Sequence, residues 1–215
     1  MTRVDFFYSF RSPYSYLAAP RAFALADRHG VEVAFRGVIP MAMRGQSVPA
    51  AKRLHTLRDA KREADHLGMP FGRVHDPIGD GALRCLLVAQ HAAEAGRLAE
   101  FVLTAGRSIW SEAVDVATDT GLRGACERSG LEWDACAAAL RDPEFRRRVQ
   151  RDTDAVAALG HWGVPLLVLD GEVFWGQDRV EDVERALLTG RASAAAAPEA
   201  PAPPPAGSAL PSSRW

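Results

Sequence analysis

Two β-rich stretches stand near opposite ends of the chain, and residues 40–160 between them hold almost no β-rich run. This spacing limits the fold more than any other feature. Residues 4–9 (VDFFYS) are apolar and aromatic, the pattern of a buried strand. Residues 14–29 carry helical spacing and stop at Gly30, and residues 31–37 (VEVAFRG) alternate as a second strand. A strand–helix–strand unit of this length predicts parallel pairing through a right-handed crossover. At the other end, VPLLVL, the turn pair Asp170-Gly171 and EVFW read as a hairpin, followed by a helix over about 179–188. Neither end alone can cover both faces of its strands, so the two must share one sheet.

The intervening region reads as helices over 50–67, 81–95, 98–110, 119–129, 133–140 and 143–159. Asp119 or Thr120, Asp134 and Asp142 stand where N-caps belong. The expected organisation is α/β: a thioredoxin-like fold made of residues 1–40 and 160–190, with an all-α helical insertion at 41–159. Residues 191–215 are rich in Ala and Pro and poor in large apolar residues, the composition of a disordered tail.

Composition excludes several function classes. A formal net charge of −1 gives no bulk attraction to nucleic acid or anionic lipid. No apolar run has the length of a membrane span, and the N-terminus does not read as a signal peptide, so a cytoplasmic location is expected. Cys85, Cys126 and Cys136 have neither CxxC nor metal-ligand spacing, and the six histidines make no HExxH; no metal site is expected. The partners anticipated are a small-molecule substrate, no nucleic acid and no membrane, with a homodimer left open.

The chemistry concentrates at the first strand-to-helix join, FRSPYSYLA. Pro13 suits the first helical position and Ser12 the N-cap before it. One reading of a serine there is a helix cap and nothing more. Ser12 also lies at the carboxyl end of a strand, where ligands of α/β folds collect, and at a helix N-terminus, which favours an anion.

This stretch resembles the active-site segment of the 2-hydroxychromene-2-carboxylate isomerases and the kappa-class glutathione transferases, thioredoxin-fold relatives of the DsbA-like disulfide oxidoreductases. In the oxidoreductases a Cys-Pro-x-Cys motif occupies this join; here Ser12 and Ser15 fall on the two cysteines. The resemblance implies a catalytic Ser12 that donates a hydrogen bond to the thiolate of glutathione, or of another low-molecular-weight thiol. A free thiol has a pKa of about 8.5. A helix N-terminus contributes at most about 2 kcal/mol and a hydrogen bond to a charged group about 1.5–3 kcal/mol. At about 1.36 kcal/mol per unit, the two together bring the thiol near or below 7.

The segment WGVPLLVLDGEVFWGQDRV carries the other half of the resemblance. It implies a cis Val164-Pro165 bond whose backbone pairs with a cysteinyl peptide by strand addition. It also implies a γ-glutamyl site at Gln177 and Asp178, and Asp178 is also placed to cap the last helix. Trp162 and Trp175 read as core or pocket wall. In the insertion, LRDAKREADHLGMPF and RSIWSEAVDVATD match family stretches, with Ala113 where glycine is usual. Tyr14, Arg84 and Trp110 are the expected substrate contacts. The family's early asparagine has no counterpart, because the chain contains none. Lys52, Lys61, Arg53, Arg58 and Arg84 are the candidates for its cation.

The activity implied is a glutathione-dependent isomerase of aromatic catabolism that works by reversible thiolate addition. A kappa-class-like transferase and a non-catalytic thiol- or peptide-binding module are the alternatives.

Overall fold

The structure, a computed structural model, describes residues 1–46 and 49–190. The expected disordered tail lies outside the described residues.

Strand β1 (Arg3–Tyr8) leads into α1 (Pro13–His29) and returns as β2 (Glu32–Gly37). The insertion runs through a 3₁₀ turn at Met41–Arg44, then α2 (Ala50–His66), α3 (Asp80–Glu94), α4 (Leu98–Trp110), α5 (Asp119–Arg128), α6 (Trp133–Ala139) and α7 (Pro143–Ala158). The chain closes with β3 (Leu166–Leu169), β4 (Glu172–Trp175), a 3₁₀ turn at Gln177–Arg179 and α8 (Val180–Thr189). The sheet order is β2-β1-β3-β4. β1 pairs parallel with β2 and antiparallel with β3, and β3 pairs antiparallel with β4. The two ends of the chain therefore build one sheet. The hairpin turn uses Asp170 at φ +47° and Gly171 at φ +87°, two positive values as a type I′ turn needs.

Alternation along β1 sets the layers. Val4, Phe6 and Tyr8 join Leu17, Leu25 and Val183 on the α1/α8 side, in a core continuous with the buried residues of α3, α4 and α5. Phe7 faces the other way and packs with Val38, Val156 and Leu166 under α7. Asp152 of α7 secures this second layer, accepting from the Gly37 N–H at 3.2 Å and from Arg36 at 3.3 Å. The packing thus divides the 41–159 block: α7 lies on the sheet, whereas α3, α4 and α5 extend the opposite core.

The N-caps agree with expectation in part. Ser12 and Asp142 cap α1 and α7 through their side chains. Thr118, rather than Asp119 or Thr120, caps α5 by accepting from the Gly121 N–H at 3.1 Å. Asp134 sits inside the first turn of α6, whose cap residue is Glu132. Asp178 does not cap α8; its carboxylate pairs with Arg179 at 3.0 Å, within the 3₁₀ turn that precedes the helix.

Candidate active site

Ser12 stands where β1 ends and α1 begins. Its backbone is extended (φ −100°, ψ 113°), as an N-cap requires, and its Oγ accepts from the Ser15 N–H at 3.1 Å. The same hydroxyl donates to the Val164 carbonyl at 3.2 Å. Val164-Pro165 is cis. The two segments singled out by the sequence, 152 residues apart, therefore meet through one hydrogen bond. Ser15 is fully buried, and its Oγ accepts from the Ser9 N–H at 3.4 Å. It supports the turn from below.

A cavity of about 770 Å³ opens beside Ser12. Ser12, Pro13, Val164 and Pro165 form one wall, Gln177 and Asp178 one end, and Tyr14 and Trp110 line it from the helical side. Seven of the eight residues expected to bind cofactor or substrate thus share one cavity. Arg84 is the exception. It lies on α3, outside the cavity, and its guanidinium pairs with Asp119 at the start of α5. The neighbouring Cys85 and Leu86 are drawn into the core of the insertion, which turns residue 84 toward α5. This corrects the expected substrate contact.

Of the other candidate cations, Lys52 and Arg53 line the cavity. Lys61 is paired with Asp65 on the same helix, and Arg58 is not on the lining. Trp110, only 3% exposed, stacks on Phe71 with ring centres 5.8 Å apart and still forms part of the cavity wall.

Several lining residues escaped sequence reasoning. Arg11, immediately before Ser12, makes two bonds to Asp76, at 2.8 and 2.9 Å. Tyr14 donates to Asp59 at 2.6 Å. Burial, reinforced by this bond, holds the Tyr14 hydroxyl well above the usual tyrosine pKa, so it stays protonated. Gln177 accepts from Arg21 and donates to Glu63 at 2.9 Å, which fixes both ends of its amide. Asp59 and Glu63 are four residues apart on α2 and so share one helix face; that spacing is the signal that could have found them. Arg44 completes the rim, donating to the Trp162 carbonyl at 2.8 Å.

Among the described residues no group of three or more His, Cys, Asp or Glu is placed to hold a metal ion. The three cysteines are buried in the insertion, and none lines the cavity.

The Ser12 hydroxyl thus faces the carbonyl of Val164, the residue before the cis proline, in a helix-inserted β-α-β/β-β-α sheet. The model of the DSBA-like thioredoxin domain matches residues 3–188. The chain belongs to this family. Within it, 2-hydroxychromene-2-carboxylate isomerase of Sphingobium xenophagum is 28% identical over 195 residues, covering 86% of this chain and 97% of that one. A solved structure of a 2-hydroxychromene-2-carboxylate isomerase superposes with a TM-score of 0.73 at 25% identity, covering 88% of this chain and 95% of that chain. The cytosolic disulfide reductase DsbM of Pseudomonas aeruginosa, solved with GSH, shares the fold at a TM-score of 0.67 and 21% identity, covering 88% and 98%. The named relatives match the resemblance read from FRSPYSYLA and WGVPLLVLDGEVFWGQDR. Among the described residues no helix is long and apolar enough to cross a membrane.

Proposed function

We propose that this protein is a thiol-dependent isomerase of the 2-hydroxychromene-2-carboxylate type, with glutathione as its thiol and Ser12 as the catalytic residue. The observation that carries the reading is the position of Ser12. Its hydroxyl lies at a helix N-terminus, 3.2 Å from the Val164 carbonyl, on the wall of a cavity that holds no cysteine.

The residues present fit a small thiol peptide. The Val164 N–H finds no acceptor among the described residues, which leaves a backbone donor open for strand-like pairing. A cavity of about 770 Å³ falls within the roughly 300–1,000 Å³ of small-molecule sites. Gln177, fixed by Arg21 and Glu63, and Asp178 supply the polar end suited to an ammonium and carboxylate pair.

Glutathione, when bound, supplies the thiolate that adds reversibly to a conjugated double bond, so that rotation about the resulting single bond can precede elimination. The chain's own residues prepare that chemistry. A hydroxyl has one proton and two lone pairs. The Ser15 N–H occupies a lone pair of Ser12 and leaves the proton free to swing from the Val164 carbonyl to a sulfur. The N-terminus of α1 adds its positive end. Tyr14, held neutral beside Asp59, remains a hydrogen-bond donor on the substrate side. Arg11, neutralised in part by Asp76, is fixed beside the same space.

A titration tests the reading. Glutathione is added to native protein and to Ser12→Ala near neutral pH while thiolate absorbance is followed. The native protein is expected to bind and ionise the thiol, the variant to bind it largely as thiol. No binding by the native protein sinks the cofactor assignment. Equal thiolate in both reduces Ser12 to a helix cap. With a conjugated aromatic α-keto acid, conserved thiol marks isomerisation, and stoichiometric thiol loss marks transfer.

A further inference from the structure

The cations on the cavity wall are not equivalent. Arg11 is neutralised by Asp76. Lys52 and Arg53 are exposed on α2, where water screens them. Arg44 is different. It is half-buried in the 3₁₀ turn before α2, and its Nη2 is committed to a neutral backbone carbonyl, that of Trp162, at 2.8 Å. Its Nε is buried with no partner among the described residues. Burial lowers its pKa, and no carboxylate acts on it to offset the desolvation. A partly desolvated cation without a counter-charge is costly to hold, and an anion from outside relieves that cost.

The surroundings define the anion. Trp162 and Trp175 flank the same cavity mouth, 50% and 48% exposed, with ring centres 5.5 Å apart at 66°. Two half-exposed indoles lining the same cavity as a planar guanidinium suit a planar carboxylate attached to a small organic body, and lower the dielectric around it. The register fits as well. Trp162 lies two residues before Val164, a span of at most about 7 Å of chain. A thiol peptide whose cysteinyl residue pairs with Val164 would bring a carboxylate one residue further along to the carbonyl that Arg44 already holds.

We infer that Arg44, set against Trp162 and Trp175, is a carboxylate receptor at the cavity mouth and determines which ligands the site accepts. The terminal carboxylate of the thiol peptide is one source of that group and the carboxylate of the aromatic substrate is the other. The inference deepens the thiol-dependent reading and, for its first source, rests on it.

The test is calorimetric and kinetic, on the full chain. Native protein, Arg44→Gln and Arg44→Lys are titrated with glutathione and with γ-glutamylcysteine, which has no residue after the cysteine. KM is then measured for an aromatic α-keto acid and for its methyl ester. Melting curves matching the native one establish that the variants are folded. For the peptide source, Arg44→Gln is expected to weaken glutathione at least about tenfold, to leave γ-glutamylcysteine within about twofold, and to be partly rescued by Arg44→Lys. For the substrate source, glutathione is unmoved while KM for the acid, but not for the ester, rises by a similar factor. Unchanged values for glutathione and for the acid overturn the inference. Native protein that binds no thiol defeats the thiol-dependent reading instead. Direct binding of the aromatic acid, followed by quenching of tryptophan fluorescence in native protein and Arg44→Gln, then decides Arg44 alone, and no Arg44-dependent binding there overturns it.

Discussion

The cavity has two unlike walls. The sheet-side wall is made of Ser12, Pro13, Val164 and Pro165, and its key contacts are backbone or backbone-to-hydroxyl: Ser15 N–H to Ser12, and Ser12 to the Val164 carbonyl. The helical wall, from α1, α2, α4, the turn before α2 and the loops before α1 and α3, presents side chains: Tyr14 on Asp59, Arg11 on Asp76, Arg44 and Trp110. Backbone geometry is set by the fold and resists substitution, whereas side chains can be exchanged one at a time. On the proposed function, the first wall would hold a sulfur ionised and the second would choose the substrate.

Four substitutions sharpen or break this contrast. The largest effect belongs to Ser12→Ala. Loss of a hydrogen bond to a charged sulfur, worth about 1.5–3 kcal/mol, is expected to lower kcat/KM by roughly 10- to 150-fold. The acid limb of the pH profile should move upward by roughly 1–2 units, because removing the donor raises the thiol's pKa. A fall in activity with no movement of that limb would instead leave Ser12 a structural cap.

Next is the packing inside the helical wall. A Cβ on Gly106 of α4 would stand 2.8 Å from the Tyr16 ring of α1, closer than real Cβ contacts come. Gly106→Ala is expected to destabilise the fold by about 1–3 kcal/mol, read as a lower Tm. An unchanged Tm would show that α1 and α4 can separate freely and that the helical wall is not rigidly packed.

A smaller and opposite effect is expected at residue 113. Ala113 has φ +55°, a left-handed backbone that disfavours any side chain. Ala113→Gly relieves the strain at the expense of unfolded-chain entropy, for a net gain of up to about 1 kcal/mol in denaturant unfolding.

The smallest is Arg84→Ala. It removes only a pair with the exposed Asp119, worth less than about 1 kcal/mol, and KM and kcat should stay at native values. A raised KM would return Arg84 to the substrate site.

How much of this was legible depended on the range of each contact. Ser12-Pro13 at a helix start, Gly30 as its stop and Asp170-Gly171 as a hairpin turn are local features, and each stands where the sequence put it. Cis Val164-Pro165 opposite Ser12 followed from the resemblance rather than from spacing. Arg84 was misplaced because charge and helical periodicity do not say which cavity a helix face meets. Asp76 on Arg11 could not be read at all, and the spacing of Asp59 and Glu63 on α2 does not name Gln177 as the partner of Glu63, since these pairs are 65 and 114 residues apart. The same holds for Arg44 and the Trp162 carbonyl, 118 residues apart.

By itself, then, the sequence determined the elements, the caps Ser12 and Asp142, the turn at Asp170-Gly171, and one sheet drawn from both ends of the chain. All of these rest on short-range sterics, periodic burial and residue chemistry. Only the tertiary structure decided which charges stand on the cavity wall, which of them are already neutralised and which wait for a partner. Those outcomes depend on distances between helices, and no local pattern encodes them.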